Sequence, residues 1–306
     1  MELRSRHLLG LQDMTPEEIN LICETANSFK EVLDRPVKKV PTLQGYTIAN
    51  MFFEPSTRTR ISFELAQRRL SADTVNFTTS GSSTQKGETL KDTAKNIEAM
   101  KVEMVVIRHA SAGAARFLSE RLRANVINAG DGSHEHPTQA LLDIMTLKEK
   151  MGDLKGARVV LVGDIVHSRV ARSNIYGLTA LGADVAVCGP PTFMPRDIGC
   201  YPVRVFYRLD EAIRFADALN VLRIQLERQS AGLFPTVREY HARYGVTLEK
   251  LSVAAKPLTI MHPGPINRGI EMTSDVADSE HSVILDQVLN GVAIRMAVLY
   301  LLSMTR

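Results

Sequence analysis

Six short apolar runs punctuate this chain, at residues 45–53, 102–107, 158–163, 183–187, 218–222 and 258–261. Each is the length of a strand, and most are closed by Gly, Pro or Asp. Between them lie stretches of helical period. Thr15 and Glu18 form a capping box with Pro16 at the first turn, and Ile19, Leu21, Ile22, Ala26 and Phe29 then follow a helical spacing. Pro55 breaks the first run, and Ile61, Leu65, Ala66 and Leu70 share one helical face beyond it. A helix begins near Pro137 and another spans 285–302. Near-continuous apolar strands that alternate with helices form parallel sheets covered on both faces. The predicted class is therefore α/β, with two domains, each a parallel sheet flanked by helices.

A chain of 306 residues is the length of two domains of ordinary size. The expected domains are 1–134 and 135–285, with the terminal helix, 286–306, packing back on the first. Hydrophobic residues make up 44% and charged residues 23%, a composition that excludes disorder. The net charge of +3, the lack of Trp and the 6% of aromatic residues argue against a nucleic-acid partner, which needs a basic face or stacking platforms. Cys23, Cys188 and Cys200 have neither metal-ligand spacing nor the number for a disulfide framework, which points to a reducing compartment. No apolar run approaching the ~18 residues of a membrane span is evident, and residues 1–7 lack a signal peptide's apolar core. A soluble, cytoplasmic protein with no membrane partner is expected.

The densest chemical signal is Ser56-Thr57-Arg58-Thr59-Arg60, where a strand gives way to a helix. The first backbone N–H groups of a helix are unpaired and carry partial positive charge. Three hydroxyls and a planar guanidinium beside them make an anion site, against the plainer reading of a cap followed by solvated arginines. The spacing is not a P-loop's, because its glycines and Gly-Lys-Ser/Thr ending are missing. Residues 80–89, Ser-Gly-Ser-Ser-Thr-Gln-Lys-Gly-Glu-Thr, read as a polar loop. Arg108 ends a strand, where ligands of open α/β sheets gather. His134-Glu135-His136-Pro137-Thr138-Gln139 is spaced wrongly for a helical zinc site and reads as a helix entry. Gly163-Asp164-Ile165-Val166-His167-Ser168-Arg169 lacks two glycines of a dinucleotide fingerprint. Arg223 and Gln225 face one way if their segment is extended. His262-Pro263-Gly264-Pro265 makes a stiff loop with exposed carbonyls. Taken singly, most of these read better as turns or solvated surface.

Together and in this order, the segments resemble the aspartate/ornithine carbamoyltransferase superfamily over nearly the whole chain. Ser56-Thr57-Arg58-Thr59-Arg60 and His136-Pro137-Thr138-Gln139 match its shared carbamoyl-phosphate motifs. Lys86-Gly87-Glu88-Thr89, Arg223-Ile224-Gln225 and His262-Pro263-Gly264-Pro265 resemble the pattern of the aspartate-specific branch, and the His-Cys-Leu-Pro segment of ornithine enzymes is missing. The resemblance implies an active site between the two domains, a homotrimer with shared sites, and carbamoyl transfer from carbamoyl phosphate to L-aspartate, early in pyrimidine synthesis. No cofactor and no metal are implied, since carbamoyl phosphate is already activated.

By the same resemblance, Ser56, Thr57, Arg58, Thr59 and Arg108 grip the phosphate. Thr59, Arg108 and His136 polarise the carbonyl, and Gln139 with the Gly264 and Pro265 carbonyls orients the carbamoyl NH₂. Arg169, Arg223, Gln225 and Lys86 hold aspartate, with Ser82 and Lys86 supplied by a neighbouring subunit. Gln85 stands where some members have a second Lys. His167-Ser168-Arg169 replaces a Tyr-Gly-Arg, which keeps Arg172 open beside the favoured Arg169. Some family members associate with a regulatory chain or a dihydroorotase, and no residue here selects between them. An ornithine substrate would need an acidic partner for its second amine, whereas Lys86, Arg169 and Arg223 suit a dicarboxylate. A non-catalytic binding subunit would show degraded motifs, and a dehydrogenase would need the missing glycines.

Overall fold

Thr15 opens the first helix as its sequence predicts: its hydroxyl accepts the Glu18 N–H while the Glu18 carboxylate accepts the Thr15 N–H. The computed structural model describes residues 3–78, 88–224 and 236–305. In chain order the elements are α1 (Pro16–Leu33), β1 (Thr47–Phe52), α2 (Thr57–Arg69), β2 (Asp73–Thr78), α3 (Leu90–Ala99), β3 (Met104–His109), α4 (Ala114–Ser119), β4 (Asn125–Asp131) and α5 (Pro137–Met151). They continue with β5 (Arg158–Val162), α6 (Arg169–Ala180), β6 (Asp184–Cys188), β7 (Arg204–Phe206), α7 (Leu209–Phe215) and β8 (Ala218–Val221). The remainder are α8 (Val237–Tyr244), α9 (Leu248–Leu251), β9 (Thr259–Met261), α10 (Ser274–Ala277) and α11 (Ile284–Met304).

The chain forms two compact units, one of Met1–Leu142 with Leu289–Arg306 and one of Asp143–Val288. The divisions fall inside α5 and α11, where the sequence reading has them at 134/135 and 285/286. A continuous helix has no turn to mark such a division, so the visible signal near the first is the helix start at Pro137.

Unit 1 holds a four-stranded sheet in the order β2-β1-β3-β4, parallel throughout. Its core joins Met51, Val105, Ile107, Leu118 and Val126. β2 and β4 are absent from the sequence reading. β2 is an edge strand with polar residues at alternate positions. β4, Asn-Val-Ile-Asn-Ala-Gly-Asp, is polar in sequence yet buried at every residue. Its amides are satisfied by backbone: Asn125 Nδ2 donates to Arg6 O (2.7 Å) and Leu302 O (3.1 Å), and Asn128 Nδ2 to Leu9 O (2.8 Å). The C-terminal segment belongs to this unit, with Arg295 Nη1 donating to Ser62 Oγ (3.1 Å) and Tyr300 set edge-on to Phe29. By length and hydropathy α11 does reach what a membrane span needs, which corrects the expectation that no run approaches it. About 67% of its most apolar stretch is buried within the fold, as in a core helix.

Unit 2 holds a five-stranded parallel sheet in the order β7-β6-β5-β8-β9. Val160, Val162, Leu219, Val221, Ile260 and Phe193 lie in its core. Before β8, the Asp217 carboxylate accepts the Arg158 N–H (2.8 Å) and Arg158 Nη2 (2.8 Å) and pairs with Lys256 Nζ (2.6 Å), joining the starts of three strands. Burial alone would raise its pKa, but these donors hold it at about 2.

In unit 1, His7 accepts the Val126 N–H on Nδ1 at 3.0 Å. Burial, aided by the neighbouring Arg6, lowers its pKa from 6.5 to about 4. The unfolded chain therefore takes up a proton that the folded chain refuses between those values. The contribution is complete above the unfolded pKa and is lost as pH falls toward the folded one. The unfolding temperature should drop between about pH 7.5 and pH 5, and His7→Gln should shrink that drop. An equal drop in the variant would show that His7 is not its source.

Candidate active site

Each sheet has one place where neighbouring strands send their connections to opposite sides. In unit 1, β1 leads through α2 to β2 on one side, and β3 leads through α4 to β4 on the other. The carboxyl ends of β1 and β3 thus open a crevice, the usual ligand position in such sheets. Phe52 pairs in register with Arg108, so residues 53–59 and Arg108 leave the sheet side by side.

Ser56 is the N-cap of α2, but its side chain makes no capping bond and the first turn contains no acidic residue. This sets α2 apart from α1, α3, α6 and α8, whose Thr or Ser caps each accept a backbone N–H. The first turn of α2 therefore keeps its N–H groups and its dipole for another acceptor. Thr57 and Arg58 are exposed there, and Ser56 and Thr59 half-buried. Arg108 is aimed by an ion pair with Glu54, whose Oε2 lies 3.2 Å from Nε, and by a hydrogen bond from Nη1 to Ala129 O (3.2 Å).

His136 stands at the end of the loop between β4 and α5. Its carbonyl accepts the N–H groups of Gln139 (3.0 Å) and Ala140 (3.3 Å), which makes it the N-cap of α5 and buries its ring at the helix entry. Gln139 follows on the first turn. Asp131 shapes this loop by accepting the Gly113 N–H (2.7 Å), the Glu135 N–H (3.1 Å), Asn128 Nδ2 (2.8 Å) and His134 Nδ1 (3.2 Å). Burial opposes its ionisation, yet these donors prevail and its pKa is lowered. Gly132 has φ +50°, and a Cβ there would meet Ala112 N at 2.8 Å and Ala110 O at 2.9 Å. Buried Glu135 reaches the other way and accepts the Leu11 N–H at 2.8 Å.

In unit 2 the corresponding crevice lies between β5 and β8. After β5, fully buried Asp164 accepts the His167 N–H (3.1 Å) and His167 Nδ1 (2.9 Å). Ser168 then caps α6 through the Ala171 N–H. Arg169 is the first residue of that helix and is buried; Arg172, three residues on, is half-buried. Arg223 lies two residues past β8 and is half-buried. The loop after β9 carries Gly264 and Pro265, joined by a cis peptide bond, beside buried His262.

The structure thus brings Ser56, Thr57, Arg58, Thr59 and Arg108 to one switch point and His136 and Gln139 to the adjoining strand end. It brings Arg169 and Arg223 to the second switch point, with Gly264 and Pro265 at the next strand end. Ser82, Lys86 and Gln225 lie outside the described residues. The sequence reading missed the residues that hold these loops: Glu54, Asp131, Asp164 and Glu271. Their one visible signal is an acidic residue at or just past a strand end, or close behind a Pro-Gly loop. Chemically, unit 1 offers donors and cations to an anion, and unit 2 offers guanidinium groups suited to carboxylates.

Comparison with known proteins finds two family models in succession, the second of which extends over residues 289–302 of unit 1. Residues 6–149 match the model of the aspartate/ornithine carbamoyltransferase carbamoyl-P binding domain, and residues 155–302 that of the Asp/Orn binding domain. An aspartate carbamoyltransferase catalytic subunit from Gemmatimonas aurantiaca is 62% identical over 298 residues, covering 97% of this chain and 93% of the relative. The crystal structure of aspartate transcarbamoylase from Trypanosoma cruzi in complex with N-(phosphonacetyl)-L-aspartic acid superposes with a TM-score of 0.87 at 28% identity, covering 96% of this chain and 94% of that one. Ornithine carbamoyltransferase from Pyrococcus furiosus superposes with a TM-score of 0.86 at 32% identity, covering 98% of both chains.

One contact beside His136 can be tested by size alone. A Cβ on Gly10 would overlap the Glu135 carboxylate. Glu135 can retreat only by lengthening its bond to Leu11 N–H, because its side chain is buried. Gly10→Ala should therefore destabilise the protein by about 1–3 kcal/mol and lower activity through the adjacent His136. Urea unfolding and steady-state rates measure both, and an unchanged midpoint would show that Glu135 moves freely.

Proposed function

The chain belongs to the aspartate/ornithine carbamoyltransferase family, and on that premise we propose that it transfers the carbamoyl group of carbamoyl phosphate to the amine of L-aspartate. The products are N-carbamoyl-L-aspartate and phosphate, at an early, cytoplasmic step of pyrimidine synthesis. The observation that carries the reading is the uncapped, acid-free first turn of α2 with Arg58 on it and Arg108 beside it. Such a helix end favours an anion, and the phosphate of carbamoyl phosphate is one.

The chemistry follows from these groups. The aspartate amine attacks the carbamoyl carbon, and negative charge develops on the carbonyl oxygen. Thr59, Arg108 and His136 donate to that oxygen. Gln139 and the carbonyls of Gly264 and Pro265 orient the NH₂ group. As the C–O bond to phosphate breaks, Ser56, Thr57, Arg58 and the α2 N–H groups receive the leaving charge, and the phosphate can take the proton that the amine releases. Arg169, Arg223 and Gln225 hold the aspartate carboxylates, with Arg169 favoured over Arg172. Because carbamoyl phosphate is already activated, the remaining work is orientation and charge stabilisation.

The backbone does not discriminate between the family's two acceptors, since aspartate and ornithine enzymes superpose about equally well. The guanidinium groups at Arg169 and Arg223 favour a dicarboxylate. The direct test supplies carbamoyl phosphate with either aspartate or ornithine and detects the ureido product. Ureido product from ornithine alone would reverse the assignment.

Two substitutions separate the subsites. Arg223→Ala should raise the aspartate KM about 10- to 100-fold, the value of a charge-assisted hydrogen bond. Arg58→Ala should instead lower kcat by about 10²–10³ at saturating substrates. Steady-state kinetics distinguish them, and an unchanged aspartate KM in the first or near-normal turnover in the second removes that residue from the site.

The same reading makes the active unit a homotrimer in which Ser82 and Lys86 enter a neighbour's site. Lys86→Ala and Arg58→Ala then damage opposite halves of each site, so each homotrimer should be nearly inactive. Mixing and reassembling the two should restore activity well above either parent. Mixed trimers that form without regaining activity would refute the shared site.

A further inference from the structure

Unit 2 buries an imidazole and a carboxylate together beneath the loop that follows β9, and neither side chain has exposed surface. The backbone settles which nitrogen carries the proton. Gly264 directs its N–H at His262 Nδ1 from 2.8 Å, and an N–H can only donate, so Nδ1 is the acceptor. The ring proton of the neutral imidazole therefore sits on Nε2, 3.1 Å from Glu271 Oε1, which accepts it. The same carboxylate oxygen accepts the Asn267 N–H at 2.6 Å. His262 is also held through its own N–H, which donates to Gln287 Oε1 at 3.0 Å. The loop is thus tied at His262, at Gly264 and at Asn267, and the ring and Asn267 ties both end on one carboxylate.

Burying a carboxylate has a free-energy cost, and apolar residues could fill the same space. What a carboxylate does and a leucine cannot is choose the tautomer of the imidazole it faces. We propose that Glu271 is a positioning residue for carbamoyl transfer. By keeping the proton on Nε2 it leaves Nδ1 open to the Gly264 N–H, and so sets the carbonyls of Gly264 and Pro265 toward the carbamoyl NH₂ group. This rests on the reading above that those carbonyls receive that group. Glu271 itself touches no substrate; it acts through His262 and the loop backbone.

The test compares carbamoyl phosphate with inorganic phosphate as ligands of the full-length protein. Phosphate has no NH₂ group, so displaced carbonyls weaken the first ligand and spare the second. In Glu271→Ala the Kd of carbamoyl phosphate should rise about 10- to 100-fold, while that of phosphate changes less than about twofold. Glu271→Gln keeps the shape and an accepting oxygen, and should show a smaller rise of about 3- to 10-fold. It decides the matter alone if the alanine variant does not fold. A wild-type ratio of the two Kd values in the folded variants, with only a lower melting temperature, would make Glu271 a structural brace and overturn the positioning role. The wild type is measured first. If it shows no preference for carbamoyl phosphate over phosphate, the reading of the loop fails and the proposal goes with it.

Discussion

Parallel strands deliver all their carboxyl ends to one edge of the sheet, and the functional geometry of both units depends on that constraint. Antiparallel neighbours would alternate, sending every second loop to the far edge. Here β1, β3 and β4 end together, as do β5, β8 and β9. Segments far apart in sequence, such as 53–59 and 132–139, are thereby delivered to the same rim. The reversal of strand order then opens a crevice at one point along that rim.

Delivery to the rim does not orient a loop, and buried acidic side chains perform that second task. Asp131, Glu135, Asp164 and Glu271 each accept at least one backbone N–H from a loop, or from the segment packed against it. A carboxylate has several lone-pair directions, so one side chain can pin two or three points of backbone at once. The pattern repeats deeper in unit 2, where buried Asp143 accepts amides from Asn174, Asn220 and Gln287, and Gln287 in turn holds His262. These carboxylates lie beneath the loops, while Arg58 and Arg108 stand at or after strand ends of unit 1 and Arg169 and Arg223 after strand ends of unit 2.

The parallel α/β architecture was legible because apolar runs such as 159–162 and 185–188 are buried at every residue with no polar interruption. β4 was not legible, because Asn125, Asn128 and Asp131 look like loop residues until their distant backbone partners are known. β7 is three residues at a sheet edge, exposed Arg204 and half-buried Val205 and Phe206, too few to carry a periodicity. Among the candidate residues, Ser56–Thr59 could be read locally, since a strand, a proline and a helix start are adjacent in sequence. The supporting carboxylates could not. Glu135 meets Leu11 across 124 positions, and a single acidic letter gives no hint of that partner.

The discontinuity of unit 1 has a consequence for how the protein is made. Unit 2 is one unbroken stretch, so all of its residues have been synthesised before residues 289–306, the greater part of α11, emerge. Unit 1 is different: its first 142 residues must wait for residues 289–306, whose side chains include the buried Ile294, Ala297 and Leu302. During synthesis the earlier part of unit 1 therefore presents an unfilled apolar face to the cell for the whole time that unit 2 is being translated. Domains usually mature from the amino end of a nascent chain, but here the connectivity reverses that order. That face can be covered only once residues 289–306 have left the ribosome.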